Sequence, residues 1–311
     1  MNEQAVSSEQ EAEDRVLTND ELCEMLCNDW YAEKFNAYRE KYPDQEIDFS
    51  GKDLTEMNFA SANLAGAKLT CANLAGANLT GAKLEGAYLE RADLRGAYLM
   101  DAKLKGAHLE RANLRGACLM SANLEGAILW EARLGKANLE RVRLMNADLK
   151  SAKLAGAELN GAFLDGASLW YAVLKGAKLV GARLSGAELI EANLENADLQ
   201  GANLWGANFS RANLRKTTLK GATLNKADLG QACLEGADLE EAHLDEANLQ
   251  EAHLEEANLT GVCLRGARLH GALLRTPHLA DIDWRGATGV PRDAFEASIE
   301  LLRQGVEFAE E

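Results

Sequence analysis

Residues 62–76 read Ala62-Asn63-Leu64-Ala65-Gly66, Ala67-Lys68-Leu69-Thr70-Cys71, Ala72-Asn73-Leu74-Ala75-Gly76, and this frame of five continues without insertion or deletion from Ile47 to Trp284. With the middle residue of each pentad taken as its centre, the series that begins at Phe49 and ends at Trp284 contains 48 centres, of which 44 are Leu. Two residues before the centre, from Ala62 to Ala272, Ala occupies 40 of 43 positions; Val142, Thr217 and Val262 are the exceptions. Two residues after it stand 23 of the 27 glycines, as at Gly66, Gly76 and Gly86. Three columns locked in one register define a repeat architecture.

A helix needs apolar residues spaced near 3.6 and a strand needs strict alternation, so a pure period of five fits neither, and the chain must turn in every repeat. Ala and Leu two residues apart share one face of a short extended segment, and the next pair, often X-Gly, supplies a corner where glycine tolerates unusual dihedrals. Four such sides, one pentad each, close a square coil. Stacking about 12 coils at the usual inter-strand spacing of ~4.8 Å gives a rod of roughly 55–60 Å. Each coil buries its apolar column only against its neighbours, which makes Leu64, Leu124, Leu184, Phe209, Leu244 and Trp284 structural core and calls for closed ends.

Runs such as Ala62-Asn63-Leu64-Ala65-Gly66 and Ala92-Asp93-Leu94-Arg95-Gly96 resemble the pentapeptide repeat proteins, whose consensus is Ala, Asp or Asn, Leu and two variable residues. The resemblance implies an all-β solenoid, a right-handed quadrilateral β-helix with the Ala and Leu columns inward. It implies little about function, which resides in the surface of such a fold. The best-known role in the family is DNA mimicry directed at DNA gyrase, with fluoroquinolone resistance as its outcome.

Four segments are expected: an acidic, disordered tail over 1–15, a helical cap over 16–46, the β-helix over 47–286 and a C-terminal helix over 287–311. Thr18-Asn19-Asp20-Glu21 reads as a capping box, with Leu17 and Leu22 placed as a hydrophobic staple. Leu22, Met25, Leu26 and Trp30 then share a helical face, and Phe35, Tyr38 and Tyr42 another, up to Pro43. Beyond Pro291, the residues Phe295, Ile299, Leu302 and Val306 align on one helix face that either covers the last coil or pairs two rods end to end, leaving monomer and homodimer both open.

The acidic N-terminus lacks a basic-then-apolar leader, and no stretch approaches the length of a membrane span, so a cytoplasmic location without membrane contact is expected. Cys71, Cys118, Cys233 and Cys263 fall at outward positions on different faces or several coils apart, which suits reduced thiols. His243 and His253 stand half a coil apart on opposite faces, and His108 is distant from both, so no metal site and no cofactor is expected. Phosphate loops, nucleophile elbows and zincin motifs are absent, no catalytic residue is indicated, and the chain reads as a non-enzyme.

The net charge of −16 is unevenly distributed: residues 1–46 carry −9, residues 287–311 carry −4 and the repeat itself only −3. A full imitation of duplex DNA over the length of such a rod would need about 30 negative charges. Within the last coils, Glu235, Asp238, Glu240, Glu241, Asp245, Glu246, Glu251, Glu255 and Glu256 form an acidic collar able to dock a basic partner. Large apolar residues gather on one outward face, at Tyr88, Ile128, Trp130, Trp170, Tyr171 and Ile190, while Tyr98, Met100, Cys118 and Met120 lie on the opposite face. Aromatic residues are enriched at protein interfaces. Arg91 and Arg111 stack with Glu90 and Glu110 beside them and are read as surface ion pairs, and no basic stripe suited to direct nucleic-acid binding is present. The expected function is a rigid scaffold for protein–protein interaction. The alternatives are a gyrase-binding DNA mimic and an effector or secretion-associated repeat protein.

Overall fold

The computed structural model describes residues 15–28, 32–276, 279 and 281–291. Its backbone is organised by parallel bridges between residues four pentads apart, beginning with Asp48 to Lys68 and continuing to Arg268 with Thr288. Four ladders of such bridges run along the molecule, one per side, which fixes the coil at four pentads and the overall form as a quadrilateral β-helix. The bridging residue always precedes the centre, so it faces outward, while the Ala and Leu on either side of it face in. From Ala62 to Leu269 the inward Ala and Leu residues are at most 2 % exposed.

Backbone hydrogen bonding explains the remaining consensus positions. In the pentad centred on Leu64, the Leu64 amide donates to Lys83 O in the next coil at 2.7 Å, Gly66 N donates to Glu85 O at 2.9 Å, and Ala67 N closes the corner on Leu64 O at 3.0 Å. The bridging Lys68 amide reaches back to Ile47 O at 2.8 Å. Only the amide after the centre lacks a backbone acceptor, and the side chain at the bridging position supplies one: Asn63 Oδ1 accepts from Ala65 N at 3.3 Å, and Asn78 Oδ1 from Thr80 N at 3.1 Å. The same contact recurs at Asn138, Asn193, Asn208 and Asp228. The preference for Asn or Asp in that column is thus an Asx turn that satisfies the fifth amide of the pentad.

The corner residue two after the centre adopts positive φ whether or not it is glycine, as at Gly66 with 67°, Arg91 with 57° and Tyr171 with 59°. From Gly51 to Gly286, Thr276 alone falls outside this pattern; its hydroxyl donates to Ala257 O, and the ladder resumes with Cys263 bridged to Asp283. Within the core, Thr217 takes an Ala position fully buried, and its hydroxyl donates to Leu194 O at 3.0 Å.

Among the described residues two helices precede the first coil, α1 over Asn19–Asn28 and α2 over Ala32–Lys41. The capping box read from the sequence is present at α1: Thr18 N donates to Glu21 Oε2 at 2.8 Å and Glu21 N to Thr18 Oγ1 at 3.3 Å, while Leu17 and Leu22 are both buried. Arg15 adds a 2.5 Å ion pair to Glu21. The first coil has no preceding coil to accept its amides, and helix side chains stand in. Asp48 N donates to Asn19 Oδ1 at 3.1 Å and Asn63 N to Asn36 Oδ1 at 2.7 Å. Phe35 is fully buried beneath α2, and Tyr38 donates to Gln45 Oε1. An open β edge is thereby occupied rather than left to pair with another chain. Trp30 and the C-terminal residues Phe295, Ile299, Leu302 and Val306 lie outside the described residues, as do the side chains of Met25 and Leu26.

Candidate functional site

With every inward position filled by core, chemistry is confined to three outward columns per side, and each outward residue has its neighbours one coil before and one coil after it. Many of these ladders are ion-paired. Lys105 meets Glu125 at 3.0 Å, Arg111 meets Glu131 at 2.7 Å and Lys175 meets Glu195 at 2.9 Å.

The apolar face divides into two kinds of residue. Tyr88 is 41 % and Tyr171 52 % exposed, whereas Ile128, Trp130, Trp170 and Ile190 are half-buried. Cations from adjoining coils cover the two indoles: the Arg111 guanidinium lies 4.5 Å from the Trp130 ring centre and Lys150 Nζ 5.6 Å from that of Trp170. The indole Nε1 of Trp170 is shielded from solvent without a hydrogen-bond partner. On the opposite face Tyr98 and Met100 are exposed while Cys118 and Met120 are half-buried. Two further outward residues expose apolar surface: Trp205 on a third face, 51 % exposed with Lys226 Nζ 6.0 Å from its ring centre, and Val180 on the Tyr98 face, in one column with Met100 and Met120. Both stand directly after a centre, so the register alone marks them as outward.

The acidic collar is less bare than its composition suggests. Glu235 pairs with Arg215 at 2.7 Å, Glu240 with Lys220 at 2.9 Å, Asp245 with Arg265 at 2.7 Å and Glu246 with Lys226 at 3.6 Å. These cations come from the preceding or following coil, which is why a count of neighbours in sequence does not find them. Burial works to raise the pKa of Asp245, but hydrogen bonds from Arg265 and from the Cys263 thiol outweigh it and hold the carboxyl below its ordinary range. Burial, reinforced by Asp245, raises the Cys263 thiol. Glu241 and Glu256 have no ion pair among the described residues.

His243 and His253 lie in separate ladders, His243 bridged to Thr223 and Cys263, and His253 to Cys233 and Leu273. His108 has closer company than comparison with the other histidines indicated. It stacks on Tyr88 with ring centres 4.9 Å apart and 13° between planes, and its Nδ1 lies 3.6 Å from Glu110 Oε1. Glu90, His108 and Glu110 each bring one ligand atom within 4.8 Å of the others, in place of the expected Arg91 and Arg111 pairing with those glutamates. Arg111 is turned instead toward Glu131 and Trp130. Cys71, Cys118, Cys233 and Cys263 form no disulfide. A depression between Ile190, Ser210, Arg211, Asp228 and Gln231 is open to solvent and lined mainly by polar groups. No helix among the described residues is long and apolar enough to cross a membrane.

A coil of four pentads with a bridging ladder on each of its sides defines a β-helical repeat solenoid. The family model described as pentapeptide repeats (8 copies) matches overlapping stretches that together span 45–275, and the chain belongs to that family. Among solved structures it is similar to HetL of the cyanobacterium Nostoc, a pentapeptide repeat protein involved in heterocyst differentiation regulation, with 32 % identity over 80 % of this chain and 93 % of that one and a TM-score of 0.35. It is also similar to full-length QnrB1, a plasmid-mediated fluoroquinolone resistance protein, with 17 % identity over 65 % of this chain and 97 % of that one and a TM-score of 0.36. No curated protein matches the sequence significantly.

Proposed function

We propose that the chain is a non-catalytic rigid rod that presents its outward faces to a protein partner, with α1 and α2 closing its first coil. The observation that carries this reading is the exposure of large apolar side chains on a backbone whose inward positions from Ala62 to Leu269 are core: Tyr88, Tyr98, Tyr171 and Trp205 stand out from walls that are largely polar and ion-paired. Such residues supply contact area at small conformational cost, and a stacked solenoid gives them fixed spacing. The face first marked by Tyr88, Ile128, Trp130, Trp170, Tyr171 and Ile190 presents Tyr88 and Tyr171 outermost, with the two indoles held beneath cations. Affinity capture from native lysate tests the reading. Tyr88→Ala combined with Tyr171→Ala abolishes capture of the partner and leaves the melting temperature within about 2 °C, in keeping with surface substitutions of small stability effect; retention of the same partner by the double variant refutes the choice of face.

A gyrase-directed role rests on family membership. It is tested by DNA supercoiling with and without a quinolone, where protection by the chain would favour it over the scaffold.

A further inference from the structure

We propose that Glu90, His108 and Glu110 form a binding site for one divalent transition-metal ion of the zinc and cobalt class, on the side wall of the rod.

The coil brings these residues together. Glu90 and Glu110 stand one full coil apart in the same outward column, one inter-strand step from each other, and His108 stands in the adjoining column of the same coil as Glu110. Ligands around a zinc ion at ordinary bond lengths of about 2.0–2.2 Å stand roughly 3.0–3.5 Å from one another. The 3.6 Å between His108 Nδ1 and Glu110 Oε1 is long for a hydrogen bond and near that ligand-to-ligand separation. All three ligand atoms fall within 4.8 Å, so little movement closes the set.

Three further features point to a cation. Glu110 is only 18 % exposed, and its Oε2 is shielded from solvent with no hydrogen-bond partner, a costly arrangement for a carboxylate unless a charge meets it. Among the described residues no lysine or arginine lies within ion-pair distance of Glu90 or Glu110, because Arg111 is held by Glu131 and Trp130. The ligands also have outer supports: the Tyr88 ring stacks on the imidazole, and Thr70 Oγ1 donates to Glu90 Oε2 at 2.8 Å, fixing orientation as supporting contacts do in metal sites. One imidazole nitrogen with two carboxylates suits zinc, cobalt or manganese better than the harder calcium and magnesium, and the partial exposure of His108 leaves water to complete the shell.

His253 and Glu255 repeat the spacing of His108 and Glu110, with the same 3.6 Å separation and another shielded, partnerless Oε2. There the carboxylate one coil below, Glu235, is bound by Arg215, and Arg215 also donates to Cys233. Glu235 is thus already engaged by a guanidinium, whereas Glu90 meets no lysine or arginine among the described residues.

The test is titration of the intact chain with CoCl2 followed by visible absorption, and with ZnCl2 followed by calorimetry. The expected result is one ion per chain, with cobalt d–d bands and no thiolate charge-transfer band. His108→Ala and Glu110→Gln each weaken binding at least tenfold, while Glu255→Gln leaves it unchanged. All three side chains project from the coil, so circular dichroism of the metal-free variants matches that of the unmodified chain. Undiminished affinity in both His108→Ala and Glu110→Gln, absence of saturable binding, or a thiolate charge-transfer band as the sole signal overturns the proposal.

Discussion

Replacing Leu164 by Ala tests the stacking of the coils directly. The side chain is 1 % exposed and lies in a column between Leu144 and Leu184, which are 1 % and 0 % exposed. Backbone hydrogen bonds lock the spacing of that column: Leu144 N donates to Phe163 O at 2.7 Å, Phe163 N to Val142 O at 2.9 Å and Leu164 N to Arg183 O at 2.7 Å. Leu-to-Ala changes in cores cost about 2.7–5 kcal/mol, depending on how far the surroundings collapse into the vacated space. Here collapse would require breaking ladders on both sides, so the cost falls at about 4–5 kcal/mol. Each coil touches only its neighbours, so the weakened plane also uncouples the two halves of the rod. Guanidinium unfolding followed by far-ultraviolet circular dichroism is expected to split into two transitions or to lose slope along with its midpoint. Leu54→Ala, in the first coil with a stacked coil on one side only, is expected to cost less, about 2–3 kcal/mol, without splitting the transition. A loss below about 1.5 kcal/mol for Leu164→Ala with one sharp transition of unchanged slope would refute the claim that the coils cannot relax.

Other expectations follow from the repeat geometry. Gly66→Ala places its Cβ where nothing lies within 4 Å, so its cost is the left-handed backbone alone, about 1 kcal/mol by chemical denaturation. Asn78→Ala removes the acceptor for Thr80 N and the 3.1 Å donation to Asn58 Oδ1, and is expected to cost about 0.5–1.5 kcal/mol in the same assay. Thr217→Val costs less than about 1.5 kcal/mol, because Leu194 O keeps the Ala197 amide at 2.8 Å as a second donor. Glu21 is held at about 2 by the Arg15 hydrogen bond and then by Thr18, below the ordinary 4.5. A depressed carboxyl stabilises the folded form above its unfolded pKa and loses that contribution as pH falls through the folded value. Amide protection at Leu22, taken relative to the intrinsic exchange rate at each pH, should therefore fall between pH 4.5 and about 2, and Glu21→Gln should flatten that dependence.

The contrast between core and surface shows what a period of five reveals. Inward positions are dictated by the coil itself, so Leu64 or Ala97 can be assigned without knowing any neighbour, and Thr18 and Glu21 are close enough in sequence for their capping box to be read directly. Outward contacts depend on residues one coil away and on the rotamers they choose. Trp130 is an outward residue by register, yet Arg111 from the coil before it reduces its exposure. That partner stands one coil away in the structure but 19 residues away in sequence, and Glu90 is separated from His108 in the same way. Both contacts are set by the 20-residue coil, which brings each outward position against those one turn before and after it.

The same rule changes the meaning of the acidic collar. Of its carboxylates beside the centres, Glu235, Glu240 and Asp245 are met by Arg215, Lys220 and Arg265, and at a corner Glu246 is met by Lys226. At the corners, Glu241 and Glu256 sit in left-handed conformations with φ of 59° and have no ion pair among the described residues. The corner residues Glu241 and Glu256 thus keep charge that no lysine or arginine among the described residues offsets in an ion pair. Reversal at Glu240 would release Lys220 as well as remove a negative charge, so its effect on binding mixes two causes. Glu241→Lys changes a corner charge alone, and makes it the cleaner probe of any salt-dependent docking at this end.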